Sequence, residues 1–162
     1  MTRRMIAVIT LLFVSLAAIP SPAAIKAATN RTNEIIFSDE LAHLIPLDNN
    51  GATSINFTTT SPNQGVVITY NAECSVAGSD NKTWLDIDII LDGVVVSPTD
   101  NDNAFCTDHG TGALTNWVSA VVVVATKVPL AGPHIIEVRG GLKVFDIGDE
   151  FRLDDSTLVV TQ

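Results

Sequence analysis

The sequence predicts an all-β protein: an antiparallel β-sandwich of jelly-roll type with about eight strands. Three observations carry that prediction. Apolar and polar residues alternate along much of the chain, at the period of two that a half-buried strand requires. The alternating runs are short and separated by Gly, Asn, Asp and Pro clusters, the spacing of a sandwich or barrel. Asp92-Gly93 sits between two apolar runs and predicts a hairpin, because a type I′ turn needs positive φ at both central residues.

The elements follow in chain order. A short strand is expected at 33–38, then a helical turn in SDELAHLIPL (38–47), then a strand at 54–60. In VVITYNAEC (66–74), Val66, Ile68, Tyr70, Ala72 and Cys74 share one face, which is assigned to the core. In WLDIDIIL (84–91), Leu85, Ile87, Ile89 and Leu91 point inward, and Trp84, Asp86, Asp88 and Ile90 point outward. WVSAVVVVATKV (117–128) is rich in β-branched residues, which suit strands. Its four consecutive valines predict burial on both faces, or one face against a partner chain. The turn Leu130-Ala131-Gly132-Pro133 leads into HIIEVR (134–139), and further strands are expected at 142–146 and 151–161. The alternation set by Phe151 and Leu153 slips before Leu158 and Val160, which places a bulge or a turn at Asp154-Asp155.

The first residues, MTRRMIAVITLLFVSLAAIPSPAA, have a basic head, a short apolar stretch and a small-residue exit. These are the parts of a secretory signal peptide, and the apolar run is shorter than the roughly 20 residues that span a bilayer. The expected division is therefore a signal peptide at 1–24 and a secreted or periplasmic domain at 25–162. About 135 residues suffice for one domain with its own core. The whole chain carries 18 acids and 9 bases; without Arg3 and Arg4 the domain has 18 against 7. So acidic a surface argues against nucleic acid and against anionic membranes, and keeps an exported protein soluble. No membrane contact is expected once the signal is removed.

Cys74 and Cys106 are the only cysteines. An even count in an exported chain predicts a disulfide, closing a loop that in the chain-entropy argument stabilises by roughly 3 to 4 kcal/mol. Neither lies in a CxxC motif or a cysteine-protease signature.

The most chemically suggestive stretch is TDNDNAFCTDHG (99–110). An EF-hand starting at Asp100 would need Gly at its sixth position and Glu at its twelfth, where Phe105 and Thr111 stand. An irregular oxygen cage for calcium would draw on Asp100, Asp102 and Asp108. The favoured reading is a set of Asn and Asp turns stapled by Cys106, with no cofactor. Asp108-His109 invites a hydrolase reading, but adjacent side chains in an extended segment point apart. GxSxG, HxH and HExxH are absent, and His43 and His134 stand alone. Asp86 and Asp88 fall about 6 to 7 Å apart on one strand face, and alternation alone explains them as a solvent-facing row. Trp84 and Trp117 are the candidate sugar platforms, with core or interface anchoring as the alternative. Asn30, Asn56 and Asn81 begin N-x-Thr sequons.

VPLAGPHIIEVRGG (128–141) followed by FRLDDSTLVV (151–160) resembles the C-terminal half of jelly-roll sandwiches. Galactose-binding-like carbohydrate-binding modules and C1q/tumour-necrosis-factor-like domains carry similar phrases. The resemblance implies the fold, carries no ligand residue across, and for the C1q-like group implies a homo-oligomer. The expected function is an exported, non-catalytic module that binds an extracellular protein or glycan, or assembles with itself. The alternatives are a carbohydrate-binding module using Trp84 or Trp117, and a small hydrolase at Asp108 and His109.

Overall fold

The computed structural model describes residues 23–78, 81–97, 104–110, 112 and 116–162. Among the described residues eleven strands form: β1 (Ile25–Arg31), β2 (Ile35–Phe37), β3 (His43–Leu44), β4 (Ser54–Thr59), β5 (Gln64–Ala77), β6 (Trp84–Leu91), β7 (Val94–Val95), β8 (Cys106–Thr107), β9 (Val118–Val128), β10 (Gly132–Lys143) and β11 (Glu150–Thr161). The count exceeds the expected eight because β2, β3, β7 and β8 are pieces of two or three residues. All pairings are antiparallel. Sheet A runs β1-β11-β5-β9, with β2 also paired to β11, beyond the end of β1. Sheet B runs β3-β10-β6-β7, with β4 also on β10 and β8 on β6. The long strands β4, β5, β6, β9, β10 and β11 use the two sheets in the order B, A, B, A, B, A. That wrapping is the jelly-roll arrangement of a β-sandwich.

The core is made by the alternation predicted from sequence. Val66, Ile68, Tyr70, Ala72 and Cys74 of sheet A are buried, and so are Leu85, Ile87, Ile89 and Leu91 of sheet B. Asp92 and Gly93 both take positive φ (51° and 81°), as the hairpin requires. The β5–β11 register shifts between Asp154 and Thr157, which locates the bulge.

Two expectations are corrected and one strand is added. Residues 38–47 form no helix; His43 and Leu44 pair with β10 instead. The His43 ring stacks on Phe37 with centroids 4.3 Å apart, and its Nε2 lies 2.7 Å from Asp39 Oδ1. That hydrogen bond, together with the Leu41 amide, holds the Asp39 carboxyl below the usual carboxylate range. The second correction is that 134–139 and 142–146 are not separate strands: β10 runs unbroken through Gly140-Gly141 to Lys143. The glycines are there for close approach. A Cβ on Gly140 would lie 3.1 Å from both Ile45 and Ile87, and one on Gly141 would lie 3.2 Å from the Ala42 backbone. The added strand is β1, which alternation in IKAATNR is too weak to announce; its registered pairing to β11 defines it.

Cys74 on β5 and Cys106 on β8 form the expected disulfide, with Cα atoms 6.5 Å apart. It joins the two sheets at one end of the sandwich, and both residues are buried.

Candidate functional site

Each sequence candidate has a definite place. In the 104–110 segment, Asp108 is only 5 % exposed while His109 is exposed, so the two side chains diverge as alternation requires. Asp108 Oδ2 accepts the Thr83 amide at 3.0 Å and Oδ1 accepts the Gly110 amide at 3.0 Å. Gly78 packs so tightly against it that a Cβ there would collide with the carboxylate. Asp108 is thus a loop clamp beside the disulfide, not a base beside a nucleophile. Asp100 and Asp102 lie outside the described residues.

On the outer face of sheet B, the Asp86 and Asp88 row is matched by cations from β10. Arg139 Nε donates to Asp88 Oδ2 at 3.1 Å, and Lys143 Nζ lies 3.3 Å from Asp86 Oδ2. These pairs line a small cleft over Gly140 and Gly141, about 80 Å³ in volume. Trp84 continues the row opposite Lys143. It is half-buried, and its indole N–H is buried without an acceptor among the described residues. Trp117 precedes β9 of the other sheet and is 40 % exposed. The two tryptophans therefore stand on different sheets and form no paired platform.

The structure joins residues that sequence leaves apart. His134 Nδ1 lies 2.7 Å from Asp92 Oδ2, and Nε2 lies 3.0 Å from Thr59 Oγ1. The order carboxylate, imidazole, hydroxyl is that of a hydrolase triad. However, Thr59 is 3 % exposed, and its hydroxyl donates to the Leu130 carbonyl at 3.0 Å, which occupies the approach an electrophile would need. The chain is a structural clasp that ties β4 and β10 to the Asp92 turn. Replacing His134 by Leu is expected to cost about 2 kcal/mol, through loss of the Asp92 and Thr59 hydrogen bonds. The readout is a lower denaturant midpoint at unchanged slope; a variant as stable as the parent would contradict the clasp.

The outer face of sheet A is different in chemistry. Val121 and Val123 of β9 are 58 % and 56 % exposed, while Val124 beside them is buried. Cross-strand neighbours extend the patch: Thr69 and Val159 lie in one row with Val123, and Val67 is paired to Ala125. The four-valine run is therefore not buried on both faces: Val124 points to the core, while Val121 and Val123 are uncovered.

No protein-family model and no curated protein sequence matches the chain. Among solved structures, it is similar to a family 35 carbohydrate binding module from Clostridium thermocellum, at 17 % identity over 82 % of this chain and 97 % of that one, with a TM-score of 0.34. It is similar to the EclA C-terminal domain, described as a sugar-binding protein, at 13 % identity over 83 % and 79 %, with a TM-score of 0.35. A third likeness is to the VP2 subviral particle of infectious bursal disease virus, at 19 % identity over 96 % of this chain and 37 % of that one, with a TM-score of 0.39. At these TM-scores the likenesses assign neither ligand nor activity to this chain.

Proposed function

We propose that this chain is an exported, non-catalytic β-sandwich module that works by association through the outer face of sheet A. The observation that carries the reading is the uncovered aliphatic patch of Val67, Val121 and Val123 on a regular sheet face. An aliphatic face of this kind is the mark of an interaction surface, since scattered polar residues normally cover the outside of a sandwich. Export is supported by the N-terminal segment 1–24, with its basic head and apolar run, and by the disulfide, which persists in oxidising compartments. The two hydrogen-bonded candidates for chemistry support the non-catalytic reading: Asp108 is spent on backbone amides and Thr59 is closed off by Leu130.

A second reading, glycan binding, rests on the exposed indole of Trp117 and the charged cleft beside Trp84. Two measurements separate them. Sedimentation of the purified protein over a wide concentration range is expected to show association that Val121→Lys with Val123→Lys abolishes, with the circular-dichroism spectrum unchanged. Depletion of the protein by insoluble cellulose or chitin, lost in Trp84→Ala or Trp117→Ala and without self-association, would replace the first reading with the second.

A further inference from the structure

We propose that β9 is a dimerisation edge, at which a second copy of this chain pairs antiparallel about a two-fold axis through Val122. This rests on the association reading above, names a second copy as the partner, and moves the contact from the outer face of sheet A to the edge beside it. The first support is the contrast among the sheet edges. β9 holds one uninterrupted register with β5, from Gln64–Val128 to Cys74–Val118. On its other side it has no neighbour among the described residues. It contains no Pro, no Gly and no bulge. The remaining edges are blunted in the ways sheets use against edge pairing. The β1 edge is bulged between Ile25 and Ala27, β7 has two residues, and the β3/β4 edge is broken into two pieces.

The second support is self-complementarity. A two-fold axis normal to the sheet pairs residues of like parity, so outer faces join outer faces. With Val122 on the axis, Val121 of each copy opposes Val123 of the other, giving two cross-strand pairs of exposed β-branched residues. Ser119 opposes Ala125. Lys127, the only charged residue of β9, opposes Trp117, a cation facing an exposed indole. Beside Lys127 the surface dips into a shallow depression, lined by Gly65, Val67 and Ala125, about 410 Å³ in volume. Gly65 is the β5 partner of Lys127, so the depression lies in the row that the other copy's Trp117 enters. The same register brings Lys127 to a diagonal of the other copy's Ser119–Glu73 pair, a cation toward a carboxylate in a strongly acidic chain. On the inner side, Ala120, Val122 and Thr126 are half-buried at the open flank of the sandwich, and pairing covers them.

The third support is the extent of the contact. Half the N–H and C=O groups of an eleven-residue strand face the free edge. Two such edges make about ten hydrogen bonds, the number a specific interface ordinarily carries.

All described cysteines are in the disulfide, so Val122→Cys introduces one free thiol. Mild oxidation of that variant is expected to give a covalent dimer, whereas Val121→Cys, whose partner position is 123, gives none. Trp117→Ala is expected to weaken the dimer about tenfold or more, as loss of a Trp anchor does at an interface. Association that Val67→Lys abolishes, without crosslinking at 122, would overturn edge pairing in favour of stacked sheet faces and leave the association reading standing. Crosslinking of Val123→Cys in place of Val122→Cys overturns the register. A monomer at every concentration sinks both proposals.

Discussion

The double variant Cys74→Ala, Cys106→Ala is expected to lose about 3–4 kcal/mol of folding stability, the loop-closure value for a bridge 32 residues apart in sequence. In a domain of this size that corresponds to a fall in Tm of roughly 10 °C. The position of the bond makes the loss more than a matter of chain entropy. Cys74 belongs to β5 and Cys106 to β8, so the bond is the one disulfide cross-link between the sheets. β8 is only two residues long and is held by two registered pairs with β6. Without the sulfurs, what retains it is the Asp108 clamp on Thr83 and Gly110, and the packing of Phe105 against Tyr70 at 5.9 Å between ring centroids. The loss should therefore appear first as local opening: faster amide exchange and proteolysis within 104–110, ahead of global unfolding. Calorimetry of the parent with and without reductant, beside the alanine pair, measures it. A change below about 1 kcal/mol would mean that the noncovalent contacts alone fix this end of the sandwich.

What was legible in the sequence is what a local period can encode. The inward faces of β5 and β6 follow from side chains that reverse at each residue, and burial enforces that register. The Asp92-Gly93 hairpin and the Asp154-Asp155 bulge were legible because each is a backbone conformation with its own residue chemistry. Cys74 could be placed on the core side by the same alternation. Where a residue's role depends on a distant strand, periodicity is silent. His134 stands alone in sequence, yet its partners Asp92 and Thr59 are 42 and 75 residues away, delivered by the β10–β6 and β10–β4 pairings. Gly140-Gly141 reads locally as a break; it is a place where Ile45, Ile87 and Ala42 come too near for any side chain. The cations that match Asp86 and Asp88 likewise come from a strand some fifty residues further on. Of the sequence candidates, the bridge of Cys74 and Cys106 was legible as a site. Trp84 and Trp117 could be named but not placed on their two sheets.

At the heart of the sandwich, the chain's only tyrosine should set its alkaline limit. Tyr70 is buried between the sheets, and its hydroxyl has no hydrogen-bond partner among the described residues. Burial pushes its ionisation up to about 12, with the Arg31 charge pulling the other way. An unfolded tyrosine ionises near 10. The folded state thus favours the neutral phenol, and its contribution is fully present below about pH 10. It is lost as pH rises from there toward 12, because only the unfolded chain can release the proton freely. The rise from near 10 to about 12 corresponds to roughly 3 kcal/mol across that window. Arg31 shares the interior: Nε donates to the Pro46 carbonyl and Nη2 to the Leu153 carbonyl, each at 3.1 Å, while burial lowers its own affinity for a proton against the pull of Tyr70, Asp154 and Asp155. A guanidinium held this way keeps its charge and tempers the shift at Tyr70, so Arg31→Met should move the phenol's ionisation higher still. Tyrosinate absorbance should accordingly appear together with the loss of near-ultraviolet dichroism, not before it. Tyr70→Phe should abolish most of the alkaline loss while leaving stability at neutral pH nearly unchanged, since the hydroxyl it deletes makes no bond in the fold. A phenol that titrates near pH 10 while the protein stays folded would show that water reaches Tyr70, and that the two sheets do not close over it.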